Sequence, residues 1–425
     1  MKLGGTMFEK AYACIDLKSF YASVECVELG KDPFTTNLVV ADSSRGQGAI
    51  CLAVTPALKK QGVKNRCRLY QIPSNIPYII AMPRMKLYME YSAAIYATYL
   101  EYLSPDDIHV YSIDECFMDF TPYTRMYGLT PREFARKLIE EIKRRFNICA
   151  TAGVGTNLFL AKLALDITAK HAEDNMGCLD EELFKQQLWH HRPLTDIWNI
   201  GKAIARRLAH YGVYDLYGVA HLPESLLYKE FGINAGFLID HAWGRESCTI
   251  KDIHDYKPLA NTISNGQILF EDYDFDNGLV VMKEMVELLS LELVEKHLSA
   301  AGIGLSVSYS KNCYPRTGGV RKLPQRTDSL RVLLNGFVRL YGETTNRNQA
   351  IRQVQVWVTK VSVNFMEEQE LFVCQKADDY EKDVQIAMTN IKKRFGKTAI
   401  MRGLSYREKA TGLQRSKLIG GHNSG

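Results

Sequence analysis

Twice early in the chain an apolar, strand-like run stops on an acidic residue, and this recurrence limits the possible folds more than any other feature. The first instance is Ala13-Cys14-Ile15-Asp16-Leu17-Lys18-Ser19-Phe20-Tyr21; the second is Val110-Tyr111-Ser112-Ile113-Asp114-Glu115-Cys116-Phe117-Met118. A carboxylate among hydrophobic neighbours is unfavourable unless it is paired, hydrogen-bonded or bound to a cation. Strands are predicted at Tyr12 to Ile15, Ile108 to Ser112 and Cys116 to Phe120. Adjacent residues of a regular strand point to opposite faces. Asp114 and Glu115 can therefore serve one site only if Ile113 to Glu115 forms a hairpin bend. Carboxylates held at strand ends and aimed at a common point are what two-metal phosphoryl transfer requires. Magnesium, a hard ion that takes one or two carboxylates plus substrate phosphates, would relieve the clustered charge. The alternative reading makes Asp16 a helix cap and Asp114-Glu115 a solvated turn.

Together these residues resemble the catalytic motifs of the Y-family translesion DNA polymerases, the DinB/UmuC superfamily, and within it the UmuC-type branch of Gram-positive bacteria, their phages and plasmids. The resemblance runs from about Tyr12 into the last third of the chain and is strongest in the first part. It implies an α/β (α+β multidomain) right hand. Residues 1–33 and 84–170 would form the palm, 34–83 the fingers, and 171–247 a thumb containing a helix-hairpin-helix. Residues 258–375 would form a βαββαβ little finger, followed by a basic tail, 376–425. The implied activity is that of a DNA-directed DNA polymerase using two magnesium ions and copying past damaged template bases.

The pattern of the chain fits this division. At 425 residues, 46% hydrophobic and 24% charged, it has the length and composition of a soluble protein of several domains. No apolar run is long enough to span a membrane and the N-terminus lacks the apolar core of a signal peptide, which points to a cytoplasmic protein. The ten cysteines show no Cys-x-x-Cys pair, and Cys14, Cys51 and Cys149 read as reduced core residues. Thr130-Pro131-Arg132-Glu133 matches a capping box opening a helix whose buried face is Phe134, Leu138, Ile142 and Phe146. Strand and helix alternate through residue 170. A helical segment follows, in which Pro193 to Tyr211 reads as helix, turn, helix. Cys248 to Lys257 reads as a linker. Beyond it come strand (Thr262 to Phe270), helix (Asn277 to Leu298), strand (Gly302 to Lys311), an extended stretch, helix (Asp328 to Tyr341) and strand (Gln353 to Phe365), a split βαββαβ order. The net charge of +5 is mild, but basic residues cluster beyond Ile391, which suits phosphate contact.

The resemblance also implies residue roles. Asp16 and Asp114 would bind the two magnesium ions with the Leu17 carbonyl as a further ligand, and Glu115 would complete the set near the primer terminus. Tyr21, beside Phe20 in the nucleotide site, occupies the steric-gate position, where an aromatic ring blocks a ribose 2′-hydroxyl. Lys59 and Lys162 fall where relatives contact the incoming deoxynucleoside triphosphate. Many relatives carry tyrosine and arginine where this chain has Pro56 and Lys59, which removes donors from that contact. Asn199-Ile200-Gly201-Lys202 resembles the turn of a helix-hairpin-helix, whose amides hold a DNA phosphate without reading sequence. Glu368-Gln369-Glu370-Leu371-Phe372 resembles a sliding-clamp peptide with Gln369, Leu371 and Phe372 as contacts, although glutamate stands where that peptide usually opens with glutamine. The basic tail offers a docking place for an accessory UmuD-like or small subunit.

Two other readings share some of these features. Another palm-type nucleotidyl enzyme, such as a nucleotide cyclase, would share the acids but would not need the DNA-gripping regions after residue 171. A repair scaffold with little catalysis would have no use for the acids. Gly396-Lys397-Thr398 lacks the first glycine of a P-loop, and Gly153-x-Gly155 lacks the third glycine of a dinucleotide fingerprint.

Overall fold

The computed structural model describes residues 10–257, 261–310, 314–363 and 375–425. They fall into two compact units, Met1–Lys257 with Asn423–Gly425, and Pro258–His422. The strands of the first unit are β1 (Tyr12–Leu17), β2 (Leu38–Val40), β3 (Ala53–Val54), β4 (Ile79–Ala81), β5 (Ile108–Val110), β6 (Glu115–Asp119), β7 (Ala150–Gly155) and β8 (Met176–Leu179). They form two sheets, in the orders β5-β6-β1-β7-β8 and β3-β2-β4.

β1 takes the centre of the larger sheet because both its faces are apolar; every residue but Asp16 is buried. It runs antiparallel to β6 and β7. The Pro131–Phe146 helix opens with the predicted capping box, in which Glu133 N donates to Thr130 Oγ1 (3.2 Å) and Thr130 N donates to the Glu133 carboxylate (2.8 Å). It buries Phe134, Leu138 and Ile142. The Leu158–Leu163 helix presses onto β7, and this explains the Gly-x-Gly pair. A Cβ on Gly153 would lie 2.1 Å from the Leu165 nitrogen, and one on Gly155 would lie 2.3 Å from that of Ala161. A π turn, Ala164–Thr168, follows this helix.

In the smaller sheet β2 pairs with β4 in parallel and with β3 antiparallel. β3 is only two residues long and follows a 3-10 turn, Ser43–Gly48, capped by Asp42. The helical segment shares one core, which includes Phe184, Leu208, Leu216 and Leu238. Two expectations need correction here. The helix predicted from Pro193 is a single 3-10 turn, Leu194–Asp196, since Ile197 already returns to extended backbone. The predicted linker contains a helix, Ile250–Asp255, capped by Thr249 and anchored by buried Ile250 against Tyr12 and Phe117. One buried anchor in a polar run leaves little periodic signal.

The second unit has the predicted βαββαβ order. β9 (Ile263–Tyr273), the Phe275–Glu295 helix, β10 (Leu298–Tyr309), β11 (Thr317–Thr327), the Leu330–Thr344 helix and β12 (Ile351–Thr359) build a sheet ordered β11-β10-β12-β9. All three pairings are antiparallel. Residues expected as a basic tail pack here instead. The Gln375–Phe395 helix lies on the Phe275–Glu295 helix, and Met388 is buried. Lys393 pairs with Glu295 (2.9 Å), Arg402 with Glu287 (3.5 Å) and Lys409 with Glu271 (2.7 Å). Much of the basic charge is thus met by acids of the same unit. Among the described residues no helix is long and apolar enough to cross a membrane.

Candidate active site

The register of β1 and β6 sets Asp16 directly opposite Glu115, so the two side chains emerge on one face. Asp114 sits on the bend before β6, and the bend is tied down from several sides. Leu17 N donates to the Asp114 carbonyl (2.9 Å), the amides of Tyr111 and Ser112 both donate to the Glu115 carbonyl (3.0 Å each), and Ser92 Oγ donates to the Ile113 carbonyl (2.6 Å). Both hairpin acids therefore reach the end of β1, as the sequence required of them.

The three acids differ in what answers their charge. Asp114 accepts from Ser112 Oγ at 2.7 Å. Glu115 is buried, with Lys162 Nζ 2.6 Å away and Cys14 Sγ donating at 3.0 Å. The carboxylate of Asp16 has no hydrogen-bond partner among the described residues. Burial first, then the charges of Asp114 and Glu115, push its pKa up to about 7. No three His, Cys, Asp or Glu side chains among the described residues close into a ligand set for a metal, so a cation here would complete its shell with substrate or water oxygens.

Of the two lysines expected at the triphosphate, Lys162 is buried and directed at Glu115, with Asp166 3.1 Å away on its other side. Burial opposes its charge, but Cys14, Glu115 and Asp166 outweigh that and raise its pKa. Lys59 is exposed and donates to Ser19 Oγ at 2.8 Å. Ser19 sits in the left-handed region at φ 50°, where β1 gives way to the Phe20–Glu28 helix. Although the residue as a whole is exposed, desolvation around its ammonium lowers the Lys59 pKa; Asp16 acts against this, and Lys170 and Lys18 add to it. Sequence reading singled out neither Lys170 nor Lys18. Lys18 donates to Asn175 Oδ1, and Lys170 follows the π turn, a helix irregularity common at functional sites. Lys59 thus lies within electrostatic reach of Lys18 and Lys170, and all three act on Asp16, while Lys170 also pairs with Asp166 at 3.3 Å. Adjacency to the first motif was a signal for Lys18; Lys170 offered none without the fold.

Tyr21 stacks on Tyr88 with centroids 4.4 Å apart and 16° between the planes. Tyr88 is fully buried and donates to Glu25 Oε1 (2.7 Å), and Arg84 grips both Glu25 oxygens (2.9 and 2.6 Å). Phe20 is buried beside Tyr21, centroids 5.7 Å apart, and leaves almost none of its ring open to a ligand. At the thumb turn, Asn199 takes φ 67°, Ile200 is buried, and Gly201 caps the Lys202–Ala209 helix without a side-chain partner for the helix amides. Gln369, Leu371 and Phe372 lie outside the described residues.

Comparison with known proteins bears on the whole arrangement. The impB/mucB/samB family model matches residues 15–166, which include the paired acids, Tyr21 and Lys162. DNA polymerase IV 2 of Bacillus subtilis is 32% identical over 436 residues, covering 98% of this chain and 99% of that one. The chain belongs to the Y family of DNA polymerases. UvrX of Bacillus subtilis, named for UV-damage repair, is 31% identical over 427 residues and 98% of each chain. Among solved structures, a Y-family DNA polymerase chimera aligns with a TM-score of 0.63 over 83% of this chain and 100% of its own, at 22% identity. That likeness shows the fold, that of a Y-family DNA polymerase.

Proposed function

We propose that this Y-family polymerase extends the 3′-hydroxyl of a DNA primer by template-directed nucleotidyl transfer and copies past damaged bases, with Asp16, Asp114 and Glu115 at the reacting centre. The observation that carries this reading is Asp16, a carboxylate pushed up to about 7 and left without a partner beside two other acids. Ionising such a group is costly, and a bound cation relieves that cost. Asp16, Asp114 and the Leu17 carbonyl would hold magnesium, two ions in the full reading, which when bound lowers the pKa of the primer hydroxyl and neutralises charge on the triphosphate.

The chain's own residues supply the rest. Lys59, with Lys18 and Lys170 within its electrostatic reach, forms the triphosphate cradle that Pro56 cannot donate to. Lys162 holds the Glu115 carboxylate in place through their 2.6 Å ion pair. Tyr21, backed by Tyr88 and fixed through Glu25 and Arg84, screens the sugar for a 2′-hydroxyl. The free amides at Gly201 and Lys202 take a backbone phosphate, and the βαββαβ unit grips duplex. Residues 368–372 are the place for a sliding clamp, and an accessory subunit is a further partner of the C-terminal region.

The test is primer extension on matched undamaged and abasic templates, with and without magnesium. Extension that needs magnesium and crosses the abasic site supports the reading. Extension that stops at the lesion would remove the translesion role, and extension in the absence of any divalent ion would remove the metal site.

A further inference from the structure

Trp198 directly precedes the Asn199-Ile200-Gly201-Lys202 turn, and its ring packs both against the thumb core and against the core that holds Tyr12 and Phe117. Its Nε1–H donates to the hydroxyl of Tyr111 at 3.2 Å. Trp189, a thumb indole with a packing role, gives its Nε1–H to a backbone carbonyl, that of Ala242, at 2.8 Å. The Trp198 ring also lies 5.8 Å from that of Phe117 on β6 and meets Tyr111 edge-on at 6.1 Å and 76°. On its other side His241 lies nearly parallel at 6.2 Å. His241 is buried, stacked on Phe159 at 4.0 Å and held by Glu246 at 2.9 Å. The indole is thus bracketed between a fixed aromatic stack and the hairpin of the catalytic acids.

Tyr111 carries that bracket into the site. It is 46% exposed, and its hydroxyl has no other partner among the described residues. Its amide is one of the two that hold the Glu115 carbonyl. Its ring lies 5.8 Å from Lys162 Nζ, the ammonium that holds the Glu115 carboxylate. We propose that Trp198 is a positioning residue for nucleotidyl transfer: a DNA phosphate held at the 199–202 turn fixes the indole, and through Tyr111 the indole fixes the bend that carries Asp114 and Glu115. The proposal rests on the catalytic reading of those acids and adds a route by which correctly seated DNA sharpens their placement. A displacement of even 1 Å at a reacting centre is costly in rate.

Single-nucleotide incorporation by rapid quench, at saturating primer-template and triphosphate, tests this with Trp198→Phe, Tyr111→Phe and the double variant. Each single change removes one hydrogen bond and keeps a ring, so the maximal rate falls about fivefold. The double variant falls no further, because both changes break the same link. The KM for nucleotide and the Kd for DNA, read by anisotropy, stay within about twofold of wild type, which general loosening of the fold would not allow. An unchanged rate in Tyr111→Phe, single losses that multiply, or a loss wholly in DNA affinity would each overturn the proposal. Tyr111→Phe removes only a hydroxyl from a half-exposed ring, so it decides the matter even if the tryptophan variant folds poorly. Asp114→Ala, run alongside, separates failure of the catalytic reading, in which it keeps the wild-type rate, from failure of this one.

Discussion

Glu284 on the Phe275–Glu295 helix and Asp16 at the end of β1 are both carboxylates withdrawn from water, but their surroundings treat them in opposite ways. Glu284 is 4% exposed and both oxygens are answered: Thr411 N donates at 2.8 Å, Thr411 Oγ1 at 3.2 Å and Gly412 N at 3.0 Å. Glu25 is treated likewise by Arg84 and Tyr88. Asp16 instead faces two more acids and no donor. A buried acid with its lone pairs filled holds a fold together, here by docking the C-terminal segment onto its helix. A half-buried acid left unfilled beside like charges keeps room for a ligand, as groups at functional sites do.

The difference can be tested from either side. The largest expected effect is on catalysis: Asp114→Ala lowers the rate of nucleotide incorporation by about a thousandfold or more, while the urea midpoint stays near wild type. Glu284→Ala does the reverse. It orphans the amides of Thr411 and Gly412 and lowers the stability of the 258–422 unit by about 3 kcal/mol, read by urea denaturation. A midpoint unmoved by that change would blur the distinction. Tyr21→Ala, measured as the ratio of deoxyribo- to ribonucleotide incorporation, costs roughly a hundredfold in discrimination. Lys170→Ala raises the KM for triphosphate about tenfold with little change in maximal rate; a matching effect at Lys162 with Glu115 undisturbed would reverse the roles of the two lysines.

A further effect concerns pH. In the folded, metal-free protein Asp16 titrates at about 7, against an ordinary value of 3.8. Its protonated form favours folding, so the stabilisation from this group is complete below pH 4 and is lost as pH rises through 7. Metal-free wild type is therefore less stable at pH 8 than Asp16→Asn, by on the order of 2 kcal/mol, and the two converge below pH 4. Equal melting temperatures at pH 8 would mean that the acid is compensated after all.

The sequence revealed those parts of the site where chemistry and local pattern coincide. Asp16, Asp114 and Glu115 interrupt apolar runs, and Thr130-Pro131-Arg132-Glu133 announces its own helix. The βαββαβ order of the second unit followed from strand and helix periodicity. What escaped notice depends on residues far apart in the chain. Lys170 reaches Asp16 only once β7, the Leu158–Leu163 helix and the π turn are assembled. Glu25, Arg84 and Tyr88 are ordinary residues on two helices until they close beneath Tyr21. Leu38 and Ile79 pair in parallel across a segment with no repeating pattern. The basic residues beyond Ile391 suggested nucleic acid, but acids of the Phe275–Glu295 helix and of β9 pair with several of them, and composition does not record which charges are already matched.

The account's central claim is that the acids at the end of β1 and β6 are kept for chemistry and not for the fold. Asp16→Asn tests it most directly, with magnesium-dependent incorporation and metal-free melting temperature measured on the same preparation at pH 8. The account predicts that incorporation collapses while the melting temperature holds or rises. Retained incorporation, or a loss of activity that merely follows a fall in melting temperature, would contradict it.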